Sequence, residues 1–280
     1  MSGRDLPALT LHWAGTEAID AVETLRAAAG WPPGTATLRA LLAGGGLLVL
    51  ARCDDEIAGC GAALRYGDTA FINNMLVRRE WQGYGIGTRL LAALLDRLAA
   101  EGIRCVQLDA TPAGQSLYAR FGFVPRWRAL RGTLARPPLP PLPDPAIAPP
   151  EPDDWEAIAA LDARAFGAPR GAFLPALAAA PESRALVFRA GGRITGYGLA
   201  RPGEIGPVIA VSAHVAERIA VALAARGSAG DRVIVGNRAA APLWRRLGVA
   251  FVDGSTRMLR GPAPDDRPET IFAQANAAAG

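Results

Sequence analysis

The fold is decided by one stretch, Asn74-Met75-Leu76-Val77-Arg78-Arg79-Glu80-Trp81-Gln82-Gly83-Tyr84-Gly85-Ile86-Gly87-Thr88, and by the helix pattern that follows it. From Gly87 to Glu101 the apolar residues Leu90, Leu91, Leu94, Leu95 and Leu98 recur at helical spacing, and Gly102 closes the run. Thr69 to Val77 before it reads as a strand, so a strand enters a glycine-rich turn that opens a helix. Glycines at alternate positions let backbone N–H groups converge without side-chain obstruction, at the positive end of the helix dipole. A pyrophosphate fits such a turn.

A dinucleotide fold is the rival reading, because Asp109 ends the next strand about twenty residues after the last glycine. That reading implies a nicotinamide-dependent oxidoreductase. Two features oppose it. The glycines follow G-x-G-x-G rather than G-x-G-x-x-G, with five residues between Val77 and the first of them, and three earlier strands precede the motif. A nucleotide fold turns almost at once after its first strand.

Working outward, Ala8 to Trp13 reads as a strand, Glu17 to Ala29 and Thr35 to Leu42 as helices, and Leu47 to Arg65 as a hairpin. After the central helix come a strand at Ile103 to Leu108, a helix at Ala113 to Phe121 and a strand at Phe123 to Leu134. Then LARPPLPPLPDPAIAPPEPD, dense in proline, reads as an extended interdomain linker. The two flanks echo each other. Leu48-Val49-Leu50 and Ile57-Ala58-Gly59-Cys60-Gly61 reappear as Leu186-Val187-Phe188 and Ile194-Thr195-Gly196-Tyr197-Gly198, and Leu117-Tyr118-Ala119-Arg120-Phe121-Gly122-Phe123 as Leu243-Trp244-Arg245-Arg246-Leu247-Gly248-Val249. Two related α/β units are expected, at 1–134 and 153–261, joined by a linker at 135–152. A tail at 262–280 follows, in which Ile271 to Ala278 suits a short packed helix.

Composition narrows the function classes. The 280 residues exceed the roughly 100 to 200 of a single domain, and half of them are hydrophobic with 20% charged, too apolar for a disordered chain. No apolar run approaches the roughly 18 residues of a membrane span, and the N-terminus carries no secretion signal. The expectation is a cytoplasmic protein with no membrane partner. The three cysteines, Cys53, Cys60 and Cys105, form no C-x-x-C pair, and His12 and His214 lie far from them, so neither a metal site nor a disulfide framework is expected. The net charge of +4 comes from arginines alone, scattered along the chain, which disfavours a nucleic-acid partner. Absence of lysine with abundant Ala, Arg and Pro suits a GC-rich, bacterial genome.

The glycine turn resembles the acyl-CoA signature Q/R-x-x-G-x-G/A that follows the fourth strand of the GCN5-related N-acetyltransferases (GNAT), with Gln82, Gly85 and Gly87 at the matching positions. Leu117-Tyr118-x-x-x-Gly122-Phe123 is similar to the helix-to-strand element that closes the same fold. This resemblance covers residues 8 to 134. The segments LDATPAG, ARAFGAPR, ARPGEIGPVIA and IFAQANAAAG extend it to a tandem subgroup, in which a complete acetyltransferase domain precedes a degenerate GNAT-like one. The fold implied is α/β of the α+β type, each domain a mixed, largely antiparallel central sheet flanked by helices.

The resemblance also implies a chemistry. Acetyl-CoA would be the co-substrate, its pyrophosphate held by the amides of Gln82, Gly83, Tyr84, Gly85, Ile86, Gly87 and Thr88, and its pantetheine arm laid against Met75, Leu76 and Val77 between splayed fourth and fifth strands. A small-molecule or peptide amine would attack the thioester directly. Tyr118 is the expected proton donor to the thiolate. For the base the candidates are Asp109, Glu80 or a water chain, with Asp109 read equally as a cap or ion-pair residue. Arg78, Arg79 and Arg89 are candidates for the 3′-phosphate, against a solvated surface role. Asn73 and Asn74, polar residues in a buried strand, are candidates for the acceptor cleft, as are Trp31 and Trp81. In the second unit no Q-x-x-G-x-G separates Glu204-Ile205-Gly206-Pro207-Val208-Ile209-Ala210 from the next helix, and Trp244 replaces the tyrosine, so that copy should hold no CoA. Asp162, Arg164 and Arg170 are read as acceptor contacts or as salt-bridge residues. A homodimer is compatible, and the main alternative function is an acetyl-CoA-binding sensor or scaffold without turnover.

Overall fold

The computed structural model describes residues 8–140 and 142–275. In the first half, β1 (Leu9–Trp13), α1 (Ile19–Ala28) and α2 (Thr35–Ala43) precede an antiparallel run of β2 (Leu47–Cys53), β3 (Glu56–Tyr66) and β4 (Thr69–Val77). Helix α3 (Ile86–Ala100) buries Leu90, Leu91, Leu94, Leu95 and Leu98 on one face, the residues that set its period in the sequence. It carries the chain back so that β5 (Cys105–Ala110) lies parallel to β4. The short α4 (Gln115–Arg120) and long β6 (Val124–Leu134) follow.

The second half repeats the plan with β7 (Ile147–Ala148), α5 (Asp154–Phe166), α6 (Phe173–Ala178), β8 (Arg184–Ala190), β9 (Arg193–Arg201), β10 (Glu204–Ala210), α7 (Ala213–Ala224), β11 (Arg232–Val235), α8 (Ala241–Arg246) and β12 (Val249–Arg260). A final strand, β13 (Ile271–Ala273), stands where the sequence suggested a helix. It pairs with β10, so ladder hydrogen bonds outweigh the helix propensity of the alanine-rich stretch it opens. The end of that expected helix lies outside the described residues.

All thirteen strands form one sheet in the order β1-β2-β3-β4-β5-β12-β6-β11-β10-β9-β8-β7, with β13 on β10. Among the described residues only β4–β5 and β10–β11 are parallel pairs, so the sheet is mixed and largely antiparallel. Its centre is an exchange. Strand β12 of the second half sits beside β5, and β6 of the first half sits beside β11, each lent to the other half's sheet. Three free cysteines, Cys53, Cys60 and Cys105, are buried in this body.

Two buried ion pairs lie at the seam, the first of them across it. Arg257 on β12 donates from Nε to Asp109 Oδ1 at 2.7 Å and from Nη2 to Oδ2 at 3.1 Å, between the rings of Phe71 at 4.7 Å and Trp127 at 4.5 Å. Asp162 accepts from Arg170 at 2.9 and 2.6 Å and from the Tyr197 hydroxyl, and the Arg170 guanidinium lies 4.3 Å from the Phe166 ring centre. Phe166 meets Tyr66 of the first half edge-on at 5.3 Å. Asp162 and Arg170 are therefore structural, the salt-bridge reading of the two offered by the sequence. Hydrophobic burial spans the same seam, since Tyr66 and Phe71 share a cluster with Phe166, Phe173 and Tyr197.

Removing one partner of a buried pair strands the other charge, at a cost of roughly 3–5 kcal/mol. Arg257→Leu should lower the unfolding free energy by about that amount in urea titrations, and the double change with Asp109→Leu should recover much of it. A single variant as stable as the parent would show that the pair does not hold the seam.

Candidate active site

The site begins where β4 and β5 part. Their ladder runs from Thr69 opposite Cys105 to Ile72 opposite Leu108, and beyond it β4 continues to Val77 with no strand partner on that side among the described residues. A bulge accompanies the divergence. Opposite β3, Ala62 faces Asn73 and Cys60 faces Leu76, so Gly61 alone opposes both Asn74 and Met75. Asn74 takes a left-handed φ of +48° there, a conformation asparagine tolerates. A glycine at 61 leaves room for its neighbours, since a Cβ would lie 2.7 Å from Met75 Sδ and 3.0 Å from Leu94 and those side chains would have to shift.

The bulge breaks the alternation of side chains along the strand, which puts both Asn73 and Asn74 in the cleft. Both are buried and hydrogen-bonded. Asn73 donates to the Phe71 carbonyl at 3.2 Å, Asn74 donates to Asn73 Oδ1 at 2.8 Å, and Arg26 Nη1 donates to Asn74 Oδ1 at 2.6 Å. Met75 also lines this space. The splayed strand edge left beyond Ile72 presents main-chain N–H and C=O groups that a ligand can pair.

At the end of β4 the chain folds back, with Gln82 Nε2 donating to the Val77 carbonyl at 3.0 Å. Gly83 and Gly85 then adopt φ of +87° and +79°, and a Cβ at either would meet nothing within 4 Å. Space in front of the turn is open. Helix α3 closes its first bond from Arg89 N to Gly85 O at 3.1 Å, which leaves the amides of Ile86, Gly87 and Thr88 without a carbonyl inside the helix. Gly87 differs from the other two, since its Cβ would make ordinary contact with Leu117 and Val77. Arg78 sits 3.7 Å from both Glu56 and Glu80, while Arg79 and Arg89 are exposed beside the turn without an ion pair among the described residues.

Across the wedge, α4 holds Tyr118, buried and edge-on to Phe123 at 5.9 Å. Burial pushes its phenol up to about 12, so at neutral pH it keeps its proton. Tyr118, Asp109, Asn73, Asn74, Met75 and Trp31 line a single cleft of about 240 Å³. Trp31 stands at its exposed edge with the Arg26 guanidinium 5.5 Å from its ring. Trp81 instead packs edge-on against Tyr84 at 6.2 Å, away from the cleft. Glu80 is exposed and outside it too. Asp109 is in the cleft wall, but both its oxygens already accept from Arg257.

Residues 14–123 match the model of the acetyltransferase (GNAT) family, and residues 158–273 match that of an acetyltransferase (GNAT) domain. Both halves belong to the GNAT acetyltransferases. The tandem GNAT chain is thus an acyltransferase by family. It is 28% identical over 203 residues to the uncharacterised N-acetyltransferase YitH of Bacillus subtilis (strain 168), covering 70% of this chain and 71% of YitH. A solved protein of Pyrococcus horikoshii assigned to the acetyltransferases superposes with a TM-score of 0.84 at 25% identity, over 97% of this chain and 96% of that one. A tandem GNAT protein from the clavulanic acid biosynthesis pathway shares the fold, with a TM-score of 0.62 at 15% identity over 92% and 100% of the two chains.

The second GNAT domain is built on the same plan and closed at each point where the first is open. Only Val211 and Ser212 separate β10 from α7, and the Ser212 hydroxyl caps the helix by accepting from Val215 N. Its wedge is filled from within. Strands β10 and β11 pair only at Glu204 and Arg232, and beyond that point β13 takes the edge of β10 while Gln274 N donates to the Ile234 carbonyl on β11 at 2.8 Å. Trp244, in the position corresponding to Tyr118, is fully buried and donates its indole N–H to the Phe272 carbonyl of β13 at 2.7 Å.

That second domain nevertheless reaches the first domain's cleft. Glu204, Arg232, Ile234 and Ser255 form the far wall, joined by Arg131, Arg26 and Thr111. None of these stood out in the sequence. Arg26 left a trace, as a cation on the face of α1 that carries Ile19, Val22 and Leu25. Its pKa is lowered by burial and by the charge of Arg232, while Glu23 and Glu204 hold it up. The residues from β6, β10, β11 and β12 reach the cleft through strand pairing across the halves, which no local pattern records.

One carrier per chain is the expectation from this asymmetry. Calorimetry with coenzyme A should give a stoichiometry of one, and Gly85→Glu should abolish the heat, because it forces a side chain into a left-handed position and sets a carboxylate where the diphosphate would sit. Two molecules per chain, or unchanged affinity in the variant, would contradict the assignment.

Proposed function

We propose that the protein is an acetyl-CoA-dependent N-acetyltransferase with one working site, in the first domain, acting on an amine by direct attack on the thioester. One observation carries the reading. Beyond Ile72, β4 runs without β5 beside it, from Asn73, Asn74 and Met75 in the cleft that Tyr118 and Trp31 also line to the open turn at Gly83 and Gly85, so a turn suited to a diphosphate and an acceptor cleft stand at the two ends of one strand edge. Acetyl-CoA supplies the acyl group there in activated form. The amides at the start of α3 and the turn before it are suited to its diphosphate, and the free edge of β4 at Met75 to Val77 to its amide-bearing arm. A main-chain N–H of that edge can stabilise the oxyanion formed when the amine adds, an effect usually worth a few kcal/mol.

Proton transfer divides between the protein and solvent. Tyr118, neutral at physiological pH, donates to the departing thiolate. Deprotonation of the acceptor has no dedicated group, because the cleft carboxylates are both engaged, Asp109 by Arg257 and Glu204 by Arg201 at 2.8 Å. We therefore assign the incoming ammonium's proton to water at the cleft mouth and give Asp109 a positioning role. An intact phenol facing the cleft favours turnover over a sensor that merely holds the carrier. A dinucleotide cofactor has no place in a sheet with this antiparallel order.

Two measurements follow. Tyr118→Phe should lower kcat about a hundredfold, within the usual range for acid catalysis, with little change in coenzyme A affinity. In the parent enzyme the rate should rise with pH along a limb that moves with the acceptor's own pKa, and should not fall again below pH 10, since burial holds Tyr118 protonated to about 12. A limb that stays fixed for amines of different basicity would reveal a protein base.

A further inference from the structure

The charges around the cleft do not balance. Of the five ionised side chains in its wall, Asp109 is neutralised by Arg257 and Glu204 by Arg201, neither of which lines the space. Arg26 is spent on Asn74 and on the Pro32 carbonyl, with Glu23 3.6 Å away. The guanidiniums of Arg131 and Arg232 remain, with no hydrogen-bond or ion-pair partner among the described residues.

Strand register places these two guanidiniums together. Arg131 opposes Ile234 and Arg232 opposes Thr133 on the exchanged pair β6–β11. Residues two apart on a strand share a face, so Arg131 and Arg232 are diagonal neighbours on the face that lines the cleft. Like charges set side by side on a sheet are unfavourable, and here they edge a concave site that already holds the cation of Arg26. An oxyanion between them relieves the repulsion and is met by a guanidinium fork on each side.

Building on the acetyltransferase reading above, we infer that the acceptor is a small amine bearing a carboxylate or phosphate, with its anionic group seated between Arg131 and Arg232 and its nitrogen directed to Asn73, Asn74 and Tyr118. The cleft of about 240 Å³ limits it to a small molecule or the end of a chain. Amines whose far end is positive meet three cations.

The test is thiol release from acetyl-CoA with an ω-amino acid series from glycine to aminohexanoate, the methyl esters of the same compounds, diamines of matching length and aminoethyl phosphate. At least one anionic amine should exceed its ester and diamine in kcat/KM by about tenfold or more, as expected for losing a charge-assisted bond, and comparison of the carboxylates with the phosphate identifies which oxyanion the pair prefers. Arg131→Gln combined with Arg232→Gln should raise KM for the preferred acceptor by about tenfold or more and collapse its advantage over the ester. KM for acetyl-CoA and the melting temperature serve as controls for the carrier site and the fold. Esters or diamines acetylated as well as every anionic amine would overturn the inference and leave the acetyltransferase reading intact, as would an unaltered preference in the folded double variant. No thiol release with any amine would overturn the acetyltransferase reading, and the acceptor inference with it.

Discussion

Arg257 occupies the middle of a cross-strand row, with Asp109 opposite it on β5 and Trp127 opposite it on β6. The row sits where the chain's last long strand enters the first domain's sheet. Burying two charges there is not by itself stabilising, since apolar residues of the same volume commonly do as well. The pair instead distinguishes one register from its neighbours, because a slip of one residue would turn Arg257 to the other face of the sheet and leave Asp109 unpaired. Much else depends on that register. It fixes which residues of β12 and β6 face the cleft, and it gives both oxygens of Asp109 to the arginine.

The two wedges in the sheet answer one physical problem in opposite ways. Splaying parallel strands exposes main-chain donors and acceptors that must be paired with something. Between β4 and β5 they remain available to a ligand, and the glycine turn beyond them is open. Between β10 and β11 the chain supplies its own occupant, β13, which ladders onto β10, bonds to β11 through Gln274 and accepts from Trp244. Ser212 likewise satisfies at α7 an amide of the kind left free at α3. A second carrier would have to displace a strand and uncap a helix, and it would find no tyrosine.

Much of this was legible in the chain because it is written locally. The leucine period of α3, the alternate glycines before it, the Ile-x-Gly-x-Gly hairpins and the Leu-Tyr-x-x-x-Gly-Phe element each depend on residues within about one element's length, and their elements appear where the patterns set them. Asn73 and Asn74 were visible as polar residues in an apolar strand, although the bulge that turns both toward the cleft rests on Gly61 of a neighbouring strand. The strand exchange was not legible, since β6 and β12 each look like the closing strand of their own half. Nor was the far wall of the cleft. Glu204, Arg232 and Ser255 lie outside the segments that match the first domain, and pairing alone makes them neighbours of Tyr118. The tail misled because a run rich in alanine suits a helix in isolation, while an unfilled wedge rewards a strand.

On the proposed reading the first domain alone holds the carrier, while residues of both domains line the cleft. A connected set of bonds runs from Ala275 to that cleft. The Ala275 carbonyl accepts from Arg201 Nη2 at 2.9 Å, Arg201 holds Glu204, and Glu204 stands in register beside Arg232 in the cleft wall. Strand β13 thus does two things at once, filling the second wedge and bracing the wall of the first site. A domain that has closed its own carrier slot remains necessary on this argument, because its strands β10 and β11 present the charges that an acceptor meets. The exchange of β6 and β12 makes that contribution rigid, since the two halves cannot part without unzipping the centre of the sheet.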